Sequence, residues 1–161
     1  MGINKFIRNL KDGKTLLKLR ICKFKILSSM DCISPVIDDI LLYIQKISHK
    51  PDQNIIFEVK VILNELILNA VRHGNREDAN KFVKIAVGIN DSGYMVLIVE
   101  DEGPGYNCRC LLNKQKASAQ EPKDICSMKE TGRGMTIVLS LSERVKFNDR
   151  GNRVIVLKKL Y

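Results

Sequence analysis

The stretch Glu65-Leu66-Ile67-Leu68-Asn69-Ala70-Val71-Arg72-His73-Gly74 sets three polar side chains four residues apart in an otherwise apolar run. At 3.6 residues per helical turn each step of four drifts by only about 40°, so Glu65, Asn69 and His73 form one narrow stripe facing a common point. Ile55, Val59, Ile62, Leu66 and Ala70 make the core-facing stripe of the same predicted helix, and the polar row runs along its edge. A carboxylate placed there is only half in water. Taken alone, the pattern also fits an amphipathic helix whose boundary polar groups are satisfied by their neighbours, so the rest of the chain must decide between site and scaffold.

Upstream, Ser34-Pro35 reads as a helix start, with a capping hydroxyl, proline at the first helical position and Asp38-Asp39 near the positive end of the dipole. Val36, Ile37, Ile40, Leu41, Ile44 and Ile47 give this helix a broad buried face to about His49. Pro51 then breaks the chain and Asp52 caps the helix that carries the opening stretch. Lys18 to Ile26 reads as a strand whose apolar residues change parity, which predicts a bulge or an edge position; its lysines suit an edge. Before it, Ile3, Phe6, Ile7 and Leu10 recur at helical spacing among Lys5, Arg8 and Lys11, a basic amphipathic extension over residues 1–17.

Downstream of Gly74 a polar run, Asn75 to Asn80, leads to alternating Val83, Ile85, Val87 and Ile89, turned by Asn90-Asp91-Ser92-Gly93 into Met95, Leu97 and Val99. This hairpin ends in Asp101-Glu102-Gly103-Pro104-Gly105, where a buried strand delivers a carboxylate into a tight glycine turn. Asp101 is therefore expected at a mouth. Tyr106 to Thr131 shows no periodicity and mixed charge, the pattern of a functional lid or a disordered loop. Thr131-Gly132-Arg133-Gly134 opens a helix through Met135, Val138, Leu139 and Leu141, so free backbone N–H groups at a helix start form an anion site. A last hairpin pairs Val145 and Phe147 with Val154 to Leu157.

The composition of 161 residues, 45% hydrophobic and 28% charged, suits one globular domain. No apolar run approaches the roughly 18 residues of a membrane span, and no signal-peptide pattern opens the sequence, which reads as cytoplasmic. Five cysteines without framework spacing point to reduced thiols, and Cys108, Cys110 and Cys126 lack the two-residue gap and fourth ligand of a zinc site. The net charge of +9 favours an acidic partner, whether nucleotide phosphates or an acidic protein surface; without a nucleic-acid motif or interleaved aromatics, nucleic acid is disfavoured.

In this order and spacing, the Glu65-x-x-x-Asn69-Ala70-x-x-His73-Gly74 helix, the Asp101-x-Gly103-x-Gly105 turn and the Gly132-x-Gly134 helix start resemble the N box and the two glycine boxes of the GHKL ATPase superfamily. Glu65 four residues before Asn69, the run Asn69 to Asn75 and the run Glu130 to Val138 look most like the bacterial anti-sigma factor serine kinases, over roughly residues 18 to 160. The resemblance implies a histidine kinase-like ATPase domain over 18–161 with an α+β fold: a two-layer α/β sandwich of the Bergerat type, its sheet mixed but mostly antiparallel and its helices on one face.

It also implies ATP and Mg²⁺. Asn69 would ligate the Mg²⁺, Asp101 would accept from the adenine amino group, and Gly103 and Gly105 would let the backbone approach the base. Thr131, Gly132, Arg133, Gly134 and Met135 would hold phosphates at the helix start, Glu65 would act as general base, and Arg72 and His73 would face the same pocket. The implied partners are a sigma factor and an anti-anti-sigma antagonist of the STAS type, with a homodimer compatible. The sequence departs from the family at Asn152-Arg153, where adenine-binding threonines are often found. A nucleotide-gated binding module without kinase activity is the alternative, and Glu65 favours the kinase, because binding alone needs no base.

Overall fold

The structure, a computed structural model, describes residues 19–48, 51–105 and 131–161. The expected N-terminal extension, the loop that begins at Tyr106 and its cysteines Cys108, Cys110 and Cys126 lie outside the described residues.

Strand β1 (Leu19–Leu27) is followed by a 3₁₀ turn (Met30–Cys32), helix α1 (Ile33–Ile47) and helix α2 (Gln53–Asn69), which continues into a π turn (Ala70–Gly74). Strands β2 (Phe82–Asn90) and β3 (Tyr94–Asp101), helix α3 (Thr131–Leu141) and strands β4 (Arg144–Phe147) and β5 (Arg153–Lys159) complete the fold. The five-stranded sheet runs β1-β2-β3-β5-β4, and every pairing among the described residues is antiparallel. The resemblance implied a mixed sheet; no parallel pair occurs among these five strands.

Strand alternation sorts the residues onto two faces. Val83, Ile85, Val87, Ile89, Met95, Leu97, Val99, Val154 and Val156 join the helices in one apolar core. Val96, Ile155 and Leu157 gather on the opposite face with Leu19, Tyr94 and Ile98. The expected two-layer sandwich with helices on one face is the observed architecture. On the core face, buried Lys158 of β5 donates to the Glu58 carboxylate of α2, which satisfies an ammonium taken out of water.

β1 pairs with β2 in unbroken register from Leu19 opposite Asn90 to Leu27 opposite Phe82, so its parity change reflects an edge and not a bulge. Phe24 and Ile26 reach the core while Ile21 and Leu27 stay exposed. Helix α1 differs from expectation at its start. The 3₁₀ turn, closed by the Cys32 N–H on Ser29 O at 3.2 Å, delivers the chain two residues early, so Cys32 and not a serine is the N-cap. Ser34 and Pro35 fall inside the first turn, where a missing N–H costs nothing because those donors have no intrahelical partner. Asp52 caps α2 as expected, accepting from Asn54 N–H at 3.0 Å.

α2 packs against both α1 and α3 and continues through its π turn onto β3. Its buried face is accordingly broader than the expected stripe: Ile56, Leu63 and Ile67 join Val59, Ile62 and Leu66, while Ile55 is only half-buried. Each fully buried aliphatic side chain contributes about 1.5–3 kcal/mol, which holds the site-bearing helix rigidly over the sheet.

Candidate functional site

Three segments converge at one end of the sandwich. The first is the end of α2. Glu65 and Asn69 are half-buried, one turn apart, as the four-residue spacing predicts. The Glu65 carboxylate lies directly against the Cα of Gly134, on which a Cβ would fall 3.0 Å from Cδ and closer still to Oε2. Any larger residue at 134 would collide with it.

After Asn69 the helix widens: Asn75 N–H reaches Ala70 O at 2.8 Å, an i→i+5 bond, and single π turns of this kind are frequent at functional sites. His73 and Arg72 are exposed, and Arg72 Nε lies 3.6 Å from Glu77 Oε1. The segment then passes through two left-handed residues, Arg76 (φ 60°) and Glu77 (φ 57°).

What fixes this turn is Asn75, which is wholly buried. Its Nδ2 donates to Phe82 O at 3.0 Å and its Oδ1 accepts from Glu102 N–H at 2.8 Å, so one side chain ties the π turn to β2 and to the second segment.

That second segment is the Asp101–Gly105 turn. Asp101 is buried at the end of β3, and its Oδ1 accepts from Gly103 N–H at 2.8 Å. A carboxylate's further lone pairs leave it able to accept from a ligand as well. Burial pushes the Asp101 carboxyl above its ordinary pKa, against the opposing pull of the Gly103 N–H and the Arg150 guanidinium. Two glycines make the approach feasible. A Cβ on Gly74 would lie 2.7 Å from Asp101 Oδ1, and one on Gly103 would strike Gly74 O.

The β4–β5 turn supports Asp101 from behind. Asp101 N–H donates to Asn152 O at 3.0 Å, and Asn152 Nδ2 donates back to Asp101 O at 2.8 Å. Asn152 Oδ1 in turn accepts from Asn148 Nδ2 at 2.8 Å. The chain thus has a buried Asn152 spent on the backbone of Asp101, followed by an Arg153 whose Nη2 lies 2.7 Å from Glu100 Oε2.

The third segment is the start of α3. Its backbone is helical from Thr131; the side chain of Thr131 lies outside the described residues. Arg133 is exposed, Gly134 is buried against Glu65, and the Met135 side chain packs in the core, so what Met135 presents to a ligand is backbone. The first-turn N–H groups of a helix lack intrahelical partners and carry the positive end of its dipole. An anion fits there, and so does the Glu65 carboxylate beside it.

Sequence reasoning picked out Glu65, Asn69, Asp101 and the glycines through motif spacing. It missed Asn75, Arg150 and the structural use of Asn152, whose partners lie up to 51 residues away. Only the immediate succession Gly74-Asn75 hinted at the first of them.

A buried carboxylate beside two bare glycine backbones and a helix start with a carboxylate at its edge are joined through α2 and its π turn. Residues 38–158 match the family of the histidine kinase-like ATPase domain. Over 113 residues the chain is 30% identical to the anti-sigma F factor of Geobacillus stearothermophilus, covering 69% of this chain and 73% of that one. It is 29% identical over 111 residues to the anti-sigma F factor of Geobacillus sp. strain WCH70, covering 68% and 72%. The serine-protein kinase RsbW of Oceanobacillus iheyensis is 25% identical over 103 residues, or 63% of each chain. The chain belongs to the histidine kinase-like ATPase family, in the group that includes the anti-sigma F factors.

Proposed function

We propose that this chain is a Mg-ATP-dependent, cytoplasmic protein serine kinase that sequesters a sigma factor and phosphorylates a serine of its anti-anti-sigma antagonist, a STAS-type protein. The observation that carries the reading is the Glu65 carboxylate pressed against Gly134 in the first turn of α3. A carboxylate repels the phosphates that a helix start attracts, so its placement there is costly for a site that only binds nucleotide. It is useful where a proton must leave a nucleophile beside the phosphate.

The residues present fit the implied groups. Asp101 would accept from the exocyclic amine of adenine, with the bare backbones of Gly74 and Gly103 leaving room beside it. The first-turn N–H groups of α3, from Thr131 to Met135, would bind the phosphates. Asn69 would ligate Mg²⁺ through its carboxamide oxygen, in keeping with a cation that retains several waters and takes few protein ligands. When bound, Mg²⁺ would neutralise charge on the phosphates and orient them.

Glu65 then acts on the attacking group. It accepts the serine hydroxyl proton as the Oγ–P bond forms and the bond between the γ-phosphorus and its bridging oxygen breaks, with ADP leaving. Arg72 and His73, exposed beside the cleft, are available to the docked antagonist as much as to nucleotide. The names of the anti-sigma F relatives support the sigma-factor partner.

The test is Glu65→Ala assayed with a cognate antagonist. Nucleotide binding should persist while phosphotransfer falls by roughly 10²-fold or more, the usual scale for a positioned acid–base group. Undiminished transfer would remove Glu65 from the chemistry. An inactive wild type that still binds ATP would make the chain a nucleotide-gated binding module.

A further inference from the structure

The β4–β5 turn is joined to the Asp101–Gly105 turn by more than the Asp101–Asn152 pair. Arg150, at the tip of that turn, donates from Nη2 to Gly103 O at 3.0 Å and from Nε to Pro104 O at 3.5 Å. Its own carbonyl abuts Gly105, whose φ of +80° and lack of Cβ permit the contact. Behind it, Asn148 Oδ1 accepts from Gly151 N–H at 2.8 Å and Arg153 N–H at 3.1 Å, so the turn that carries Arg150 is itself held rigid. A guanidinium forked across two successive carbonyls is a geometry that lysine cannot reproduce.

We propose that Arg150 is a positioning residue for the purine: its fork on Gly103 O and Pro104 O holds the Asp101–Gly105 turn in the shape that aims Asp101 Oδ2 at the exocyclic amine. This rests on the reading that the Asp101 turn receives adenine, and it assigns the support of that turn to an arginine outside all three sequence motifs. Arg150 does not touch the base. It acts through the two carbonyls, which follow directly on the Gly103 N–H that fixes Asp101 Oδ1. The guanidinium charge beside Asp101 acts in the same direction, favouring the ionised carboxylate, which is a pure acceptor.

The experiment compares binding of ATP and of purine riboside triphosphate, which carries hydrogen in place of the amine, to the full chain and to Arg150→Ala. Wild type should prefer ATP by about tenfold or more, the scale of one charge-assisted hydrogen bond. Arg150→Ala should lose most of that preference while its affinity for the analogue changes little. A preserved preference overturns the proposal, even if overall affinity drops, because a merely structural arginine would weaken both ligands alike. If Arg150→Ala does not fold, Arg150→Lys, which keeps the charge and loses the fork, must show a reduced preference; an unchanged one overturns the proposal equally. Asp101→Asn, measured alongside, separates the two levels. If it leaves ATP preference intact, the adenine reading itself is wrong and the Arg150 proposal falls with it; if it abolishes the preference while Arg150→Ala does not, only the role of Arg150 is refuted.

Discussion

Gly134 and Glu65 are in contact across the gap between α3 and α2, and a methyl group on the glycine would occupy the space of the carboxylate. Glycine-to-alanine changes inside helices ordinarily stabilise by up to about 1 kcal/mol. Here the methyl meets the end of a flexible side chain, so the fold survives and Glu65 turns away. Gly134→Ala should leave the thermal midpoint within a few degrees of wild type yet lower phosphotransfer by roughly 10²-fold, the scale of a displacement of about 1 Å. Melting curves and a transfer assay on the same preparation check both halves.

Asp101 makes stability and binding pull in opposite directions. Its carboxyl is held above the ordinary value of 3.8 by burial, so the folded state takes up the proton more readily than the unfolded chain. The ionised group therefore costs stability that is complete above the folded pKa, shrinks as the pH falls through it, and vanishes below 3.8, where both states are protonated. Asp101→Asn should be more resistant to urea than wild type at neutral pH, with the gap closing on acidification, and should bind ATP poorly throughout. In the wild type, ATP affinity should fall as the pH drops through the raised pKa. Urea midpoints and calorimetric titrations between pH 7 and about 4 test both; a neutral-pH Asn variant less stable than wild type would contradict the assignment.

Asn75→Ala removes a donor to Phe82 O and an acceptor for Glu102 N–H at a position with no solvent access. Two net hydrogen bonds and the stranded backbone groups are worth about 2–4 kcal/mol together. A urea midpoint shift of that size is expected, accompanied by weaker nucleotide binding, since the same side chain joins the π turn to the Asp101 turn.

Glu58 and Lys158 should respond asymmetrically to substitution. Glu58→Ala leaves a buried ammonium without its carboxylate and should destabilise by several times as much as Lys158→Met, which removes the charge and keeps the volume. Chemical denaturation of the two single variants decides this, and equal losses would show that the pair is worth no more than its packing.

What the sequence made legible was whatever is periodic or local. The alternation of Val83, Ile85, Val87 and Ile89 faces the core as read, and Asp52 caps α2 through a partner two residues away. The π turn was not readable, because i→i+4 and i→i+5 winding share one apolar pattern and Asn75 selects between them through bonds to Phe82 and Glu102. The same holds for Arg150 and Asn152, ordinary turn residues in sequence, whose work is done on carbonyls 47 and 51 residues away. Ser34-Pro35 misled for the complementary reason. A good capping signal is a local preference, and the 3₁₀ turn from Ser29 had already brought the chain into helix.

Between the last residue of α3, Leu141, and the first of β4, Arg144, lie only Ser142 and Glu143, and the Glu143 N–H is fastened to Leu157 O at 2.9 Å. The helix whose start faces Glu65 therefore runs with almost no slack into a hairpin whose tip meets the Asp101 turn. One covalent span acts as a calliper, with one jaw against Glu65 and the other against the Asp101 turn, joined through α3 and the four residues of β4.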